Sequence, residues 1–211
     1  MLNSVINLFF PKVCFACHTL LNDNEFDVCT HCRNDLPVTN FHFNNDDSVL
    51  KVFYGRVKVE HATTLFRFEK KGIVQQLIHG LKYKGQQDIG VFLGDWLGGE
   101  LSTVKEKKLR KRGYNQVAKF AMQIAAALHV EYVDNVLLKI TNTESQVLKK
   151  RLSRWSHNDE LFNLKNKDLI ANKHILLVDD LITTGATMEA CISVLKQANN
   201  VKISIAAMAI A

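Results

Sequence analysis

Two Cys-x-x-Cys pairs near the start of the chain are the first residues whose type and spacing suggest chemistry. Cys14 and Cys17 form one pair and Cys29 and Cys32 the other, with eleven residues between the pairs. Each pair fits a tight turn that points two thiolates at one ion, and four thiolates complete a tetrahedron around Zn²⁺. Because such a shell leaves no open coordination position, we expect a structural rather than a catalytic metal. A redox-active pair or a chance spacing is the alternative.

A second set of polar residues follows the apolar run 175–178. Two carboxylates come first, and a loop of small residues then opens a helix pattern: Asp179, Asp180, Thr183, Thr184, Gly185, Ala186 and Thr187. In open α/β sheets, ligands bind outside the carboxyl ends of the strands, and the free N–H groups of a helix N-terminus suit a phosphate. The carboxylates suit sugar hydroxyls or a divalent cation. The alternative is a well-capped helix, although capping alone requires one such residue.

Basic residues are clustered along a chain whose formal net charge is +6. Residues 105–113 hold six cations and one anion, and residues 149–154 hold four cations. Such clusters favour polyanions, namely phosphates, nucleic acid or an acidic membrane surface; a solvated loop is the alternative. No apolar run approaches the roughly 20 residues of a membrane span, and the first residues make a poor secretory signal. We therefore expect a cytoplasmic protein.

Alternating strand and helix patterns must position these residues. We expect strands over 49–54, 62–68, 136–140, 175–178 and 201–210, and helices over 73–81, 88–101, 115–128 and 186–197. The run 175–178 is typical of a strand buried on both faces. Residues 40–48, rich in Asn and Asp, are predicted to be a linker. The alternation in the second half predicts an α/β fold with a parallel sheet.

The segment Val178–Thr187 resembles the phosphoribosyl-pyrophosphate signature of type I phosphoribosyltransferases. With the four cysteines, three further stretches resemble the ComF family of competence and DNA-utilisation proteins, which are related to amidophosphoribosyltransferases: Leu77–Gly85, Leu109–Gln116, and Thr143-x-x-Gln146 followed by Arg154. The resemblance implies a type I phosphoribosyltransferase-like parallel sheet flanked by helices, over residues 49–211. It also implies a small zinc-ribbon-like module over residues 1–40.

The same resemblance implies roles for individual residues. Asp179 and Asp180 would hold the ribose hydroxyls, and residues 183–187 the 5′-phosphate. Arg110, Lys111 and Arg112, with Gly113, Asn115 and Gln116, would belong to a loop that closes over the pyrophosphate and assists catalysis; Lys82 and Lys84 are further candidate cations. Phosphoribosyl pyrophosphate would bring Mg²⁺, and the cysteines would hold Zn²⁺.

One stretch departs from the family pattern. Where members have a Val-Pro-Val-Pro-Leu-His-like strand with the pyrophosphate loop, residues 101–108 run almost directly into Leu109. Either the protein lacks this strand and loop, or residues are omitted from the sequence.

Three functions are compatible with these features. The first is a phosphoribosyltransferase with an unknown acceptor. The second is a non-catalytic accessory protein of DNA uptake, which would bind single-stranded DNA through the zinc module and the clusters at 105–112 and 149–154, alongside uptake or helicase proteins. The third is a sensor that binds phosphoribosyl pyrophosphate or a nucleotide without turning it over.

Overall fold

A parallel three-stranded sheet forms the centre of the protein in a computed structural model, which describes residues 11–104, 117–139 and 162–211. The strands in chain order are β1 (Ala62–Arg67), β2 (Leu137–Lys139), β3 (Phe162–Leu164), β4 (His174–Ile182) and β5 (Lys202–Ile210). The sheet has the order β1-β5-β4, and both pairings are parallel. β2 and β3 form a separate antiparallel pair. The predicted parallel sheet is therefore confirmed.

Helices cover both faces of this sheet. In chain order the helices are α1 (Thr30–Asp35), α2 (Phe41–Asn44), α3 (Ser48–Lys51), α4 (Ile73–Tyr83), α5 (Asp88–Val104), α6 (Ala118–Ala127) and α7 (Ala186–Leu195). Apolar residues of α4, α5 and α6 build one core against the sheet, and α7 with α2 and α3 builds the other. None of the described helices is long and apolar enough to cross a membrane. The layers are those of an α/β fold.

The most deeply buried strand is β5 and not β4. Ile203, Ile205 and Ala207 of β5 join one core, while Ala206 and Met208 join the other, because successive side chains of a strand point to opposite faces. The residues of β4 from 175 to 178 are only half-buried. Leu176 and Val178 nevertheless pack against one core and Ile175 and Leu177 against the other, so the strand packs on both faces as predicted, although no described strand pairs with the outer edge of β4.

Residues 40–56 also differ from the prediction. They form neither a linker nor a strand but the short helices α2 and α3 and the turns that follow them. Phe41, Val49 and Phe53 are buried and belong to the same core as α7. Because β-branched and aromatic side chains suit a strand as well as a buried core, the composition of this segment predicts a strand that the structure does not contain.

The cysteine segment shares a core with the sheet. Cys14, Cys29, Cys32 and Leu36 are buried among residues of α4, α5 and β1. The chain then continues alongside β1, where the backbone N–H of Thr39 donates to the carbonyl of Leu65 at 3.0 Å. The cysteine segment is therefore anchored to the body of the fold.

Candidate active site and metal centre

The acidic pair lies near the carboxyl end of β4. Asp179 faces Ala207 in the register with β5, and the strand continues three residues further, to Ile182. The backbone N–H of Asp180 donates to Oδ1 of Asp179 at 2.9 Å, and this bond fixes the orientation of the first carboxylate. Asp180 is itself buried, with 8% of its surface exposed. The strand thus delivers two ordered carboxylates to the edge where ligands bind in this fold class.

A lysine of helix α4 offsets part of the negative charge of this pair. Nζ of Lys82, in the last turn of α4, lies 2.9 Å from Oδ1 of Asp180. Burial, followed by the neighbouring charge of Asp180, raises the pKa of Asp179, and Lys82 opposes that rise. The candidate cation Lys82 is therefore at the site, whereas Lys84 is exposed beyond the end of α4.

The loop after β4 leads directly into the N-terminus of α7. Thr183, Thr184 and Thr187 are exposed, and Gly185 caps α7 in the left-handed conformation with φ 75°. The N–H of Ala186 makes a long 3.4 Å bond to Oγ1 of Thr184. The N–H groups in the first turn of a helix lack partners within the helix, so they remain the natural donors to a bound anion.

Gly185 is required at its position for two reasons. Its positive φ disfavours L side chains, and a Cβ would lie 2.8 Å from Cγ1 of Val52 and 2.9 Å from Cε1 of Phe53. We expect Gly185→Ala to lower the free energy of unfolding by about 2–5 kcal/mol, which combines left-handed strain with overpacking. Urea unfolding measures this loss.

Gly55 provides a matched control for the same measurement. It also has a positive φ, 73°, but a Cβ added to it would have no other atom within 4 Å. Gly55→Ala should therefore lower the free energy of unfolding by only about 1–2 kcal/mol, the cost of the left-handed conformation. Equal losses in the two variants would show that the contacts with Val52 and Phe53 do not constrain the loop.

The four cysteine sulfurs have the spacing of a closed metal site. All four Sγ atoms lie within 4.8 Å of one another, and those of Cys17 and Cys29 are 3.7 Å apart. A tetrahedron with Zn–S bonds of about 2.3 Å has edges of about 3.8 Å. Backbone N–H groups also point at the sulfurs, from Cys29 to Cys14 at 3.3 Å and from Cys32 to Cys29 at 3.5 Å. The donor set therefore suits a metal such as zinc.

The cluster contains one readily ionised thiol and buried ones. The hydrogen bond between Cys17 and Thr19 lowers the pKa of Cys17 to about 6, whereas burial raises the pKa of Cys32. Cys17 is exposed and the other three cysteines of the cluster are buried. Without a cation, holding four thiolates this close together is unfavourable, and a bound metal ion removes that penalty. The side chain of His31, which is next to Cys32 in the sequence, is exposed, and its Nδ1 lies 3.5 Å from Oδ2 of Asp35. His31 is not part of the cluster.

Several predicted residues lie outside the described part of the chain. These include the predicted catalytic cations Arg110, Lys111 and Arg112, together with Gly113, Asn115, Gln116 and the basic cluster at 149–154. Their roles remain predictions from the sequence. By contrast, Arg56 lies at the site although no sequence motif singles it out, and its side chain contacts the carbonyl of Thr184 and the carboxylate of Glu189.

Comparison with known proteins agrees with this geometry for the second half of the chain. Residues 117–210 match a family model described as the phosphoribosyl transferase domain. The match includes α6, β4, the acidic pair, the glycine loop, α7 and β5. No curated protein matches the chain. The chain therefore has the α/β fold of a type I phosphoribosyltransferase, with a region similar to the phosphoribosyl transferase domain and a four-cysteine cluster before it.

Proposed function

We propose that the protein binds phosphoribosyl pyrophosphate, or a related phosphorylated ribose, in the manner that the resemblance to the ComF family implies. The observation that carries the proposal is the junction of β4 with α7. There, two ordered carboxylates adjoin an exposed loop and a helix N-terminus. Carboxylates accept hydrogen bonds from ribose hydroxyls, and the helix N-terminus donates to a 5′-phosphate.

Three sets of residues would bind different parts of the ligand at this junction. Asp179 and Asp180 would hold the ribose, Thr183–Thr187 the 5′-phosphate, and Lys82 would offset the repulsion between the carboxylates and an anionic ligand. Mg²⁺ bound with the ligand would neutralise charge on the pyrophosphate. If transfer to an acceptor occurs, the bond between ribose C1 and the pyrophosphate breaks, and the preorganised site contributes by positioning.

Zinc in the four-cysteine cluster, a cytoplasmic location and a role in DNA uptake complete the proposal. The zinc assignment is supported by the sulfur spacing. The DNA-uptake role rests on the resemblance, and the basic clusters that would contact single-stranded DNA lie outside the described residues. Binding to single-stranded DNA would weaken steeply with added salt, because Lys and Arg release counterions from the phosphates.

Calorimetric titration tests the proposed ligand. We expect phosphoribosyl pyrophosphate with Mg²⁺ to bind at one site per chain, and ribose 5-phosphate to bind more weakly at the same site. Pyrophosphate release in the presence of nucleobase or amine acceptors would mark a transferase, whereas binding without release would mark a sensor. Absence of binding by both ribose phosphates, to protein with its zinc content confirmed, would refute the proposal.

A further inference from the structure

Arg56 joins the candidate phosphate loop from a distant part of the sequence. It follows α3 and lies 128 residues before Thr184, outside the region that matches the phosphoribosyl transferase domain. Its own segment is held by the core, where Val52 and Phe53 pack against Gly185. This segment therefore contacts the same loop in two ways, through apolar side chains and through the guanidinium of Arg56.

The guanidinium of Arg56 bridges the loop and the first turn of α7. Nη1 donates to the carbonyl of Thr184 at 2.7 Å and to the carbonyl of Val52 at 3.1 Å. Nη2 is paired with Oε2 of Glu189. The fork of an arginine can satisfy several acceptors at once with fixed directions, which a lysine cannot do.

The bond to Thr184 fixes the direction of a donor on the opposite side of the same peptide. In a planar trans peptide the C=O and the N–H point in opposite directions. Holding the Thr184 carbonyl against Arg56 therefore aims the N–H of Gly185 away from Arg56. The left-handed φ of Gly185 then leads directly into α7, so Arg56 sets the orientation of the amide at the entrance to the helix.

The pairing with Glu189 offsets a negative charge that would oppose anion binding. Glu189 lies in the first turn of α7, where a carboxylate stabilises the helix but repels an anion that arrives at the same end. Side-chain exposure is 35% for Arg56 and 25% for Glu189, so solvent screens their charges only in part. Arg56 thus leaves the helix N-terminus available to a phosphate.

We propose that Arg56 is a positioning residue for the phosphate loop, acting through the Thr184 carbonyl and the Glu189 carboxylate without touching the ligand. The ligand part of this proposal rests on the proposed function, and the ordering of the loop does not. The matched variants are Arg56→Met, which keeps much of the stem, Arg56→Lys, and the double variant Arg56→Met/Glu189→Gln. Lys51→Met, which removes an exposed cation of α3, is the control.

Two measurements test the proposal. Hydrogen exchange of the amides at 183–188 should become about tenfold faster in Arg56→Met and stay unchanged in Lys51→Met. In calorimetry, the Kd for phosphoribosyl pyrophosphate with Mg²⁺ should rise about tenfold in Arg56→Met, because the loop conformation that binds the ligand would be less populated. Arg56→Lys and the double variant should each recover part of the affinity. Unfolding midpoints of all four variants verify that the comparison concerns folded protein.

The outcomes separate the two proposals. Unchanged exchange in Arg56→Met overturns the positioning role, whatever the ligand. Faster exchange with unchanged affinity overturns it as well, because the loop order would then not serve binding. If wild-type protein binds neither phosphoribosyl pyrophosphate nor ribose 5-phosphate, the proposed function fails with the ligand part, and hydrogen exchange alone decides whether Arg56 orders the loop.

Discussion

Serine at both Cys14 and Cys32 should yield a protein without zinc and with a strongly lowered thermal midpoint. Both thiols are buried in the core that also contains residues of α4, α5 and β1. Structural zinc binds zinc-finger peptides with a free energy of about 10–16 kcal/mol. We therefore expect the loss of zinc to lower the free energy of unfolding by about 5 kcal/mol, which is a modest fraction of that binding free energy. For a chain of this length, that loss lowers Tm by roughly 10–20 °C. Elemental analysis and scanning calorimetry measure the two effects.

Cys191→Ala is the matched control for the double serine variant. Cys191 is also a buried cysteine, but it lies in α7 and is not among the clustered sulfurs. The control should retain one zinc per chain. Wild-type protein purified without chelators that contains no metal, or a double serine variant with an unchanged Tm, would contradict the metal assignment.

Features encoded by neighbouring residues were predictable from the sequence. The junction of β4 and α7 follows from an apolar run, a glycine and a helical pattern within one short segment, and the spacing of the cysteines indicates their cluster. Parallel pairing followed from the alternation of elements. These signals are local, because backbone conformation and turn geometry depend on residues close in the chain.

Features that depend on distant contacts were not predictable. The ion pair of Lys82 with Asp180 joins α4 to β4, and the contact of Phe53 with Gly185 joins the α3 segment to the loop. The resemblance makes Lys82 a candidate cation of the site, but nothing in the sequence identifies Asp180 as its partner or brings Phe53 to Gly185. The same tertiary packing determines that 49–54 lies in turns and a short helix, since a buried valine or phenylalanine can satisfy either a strand or a core.

Asp179→Asn should make the protein more stable at neutral pH while it weakens ligand binding. Burial raises the pKa of Asp179, so the folded state holds the protonated form more firmly than the unfolded state does. Stability therefore falls as the pH rises from the ordinary aspartate value, about 3.9, through the raised pKa, and the cost persists above it. Asparagine has no charge to bury and can still accept the N–H of Asp180 through its own Oδ1.

Asp179→Asn should weaken ligand binding while it raises stability, because a carboxylate is a better acceptor for ribose hydroxyls than an amide. Losing a hydrogen bond to a charged group costs about 1.5–3 kcal/mol, which raises the Kd for phosphoribosyl pyrophosphate roughly 10- to 150-fold. Urea unfolding at neutral and acid pH should show the gain in stability at neutral pH and its decline toward acid. Asp134→Asn, at an exposed loop position, should change neither quantity.

The two measurements on Asp179→Asn can contradict the prediction separately. A neutral-pH loss of stability would mean that the charge of Asp179 is satisfied in the folded protein, and unchanged affinity would remove this carboxylate from the binding site. A gain in stability together with weaker binding is the pattern expected of a group retained for function at a cost to folding.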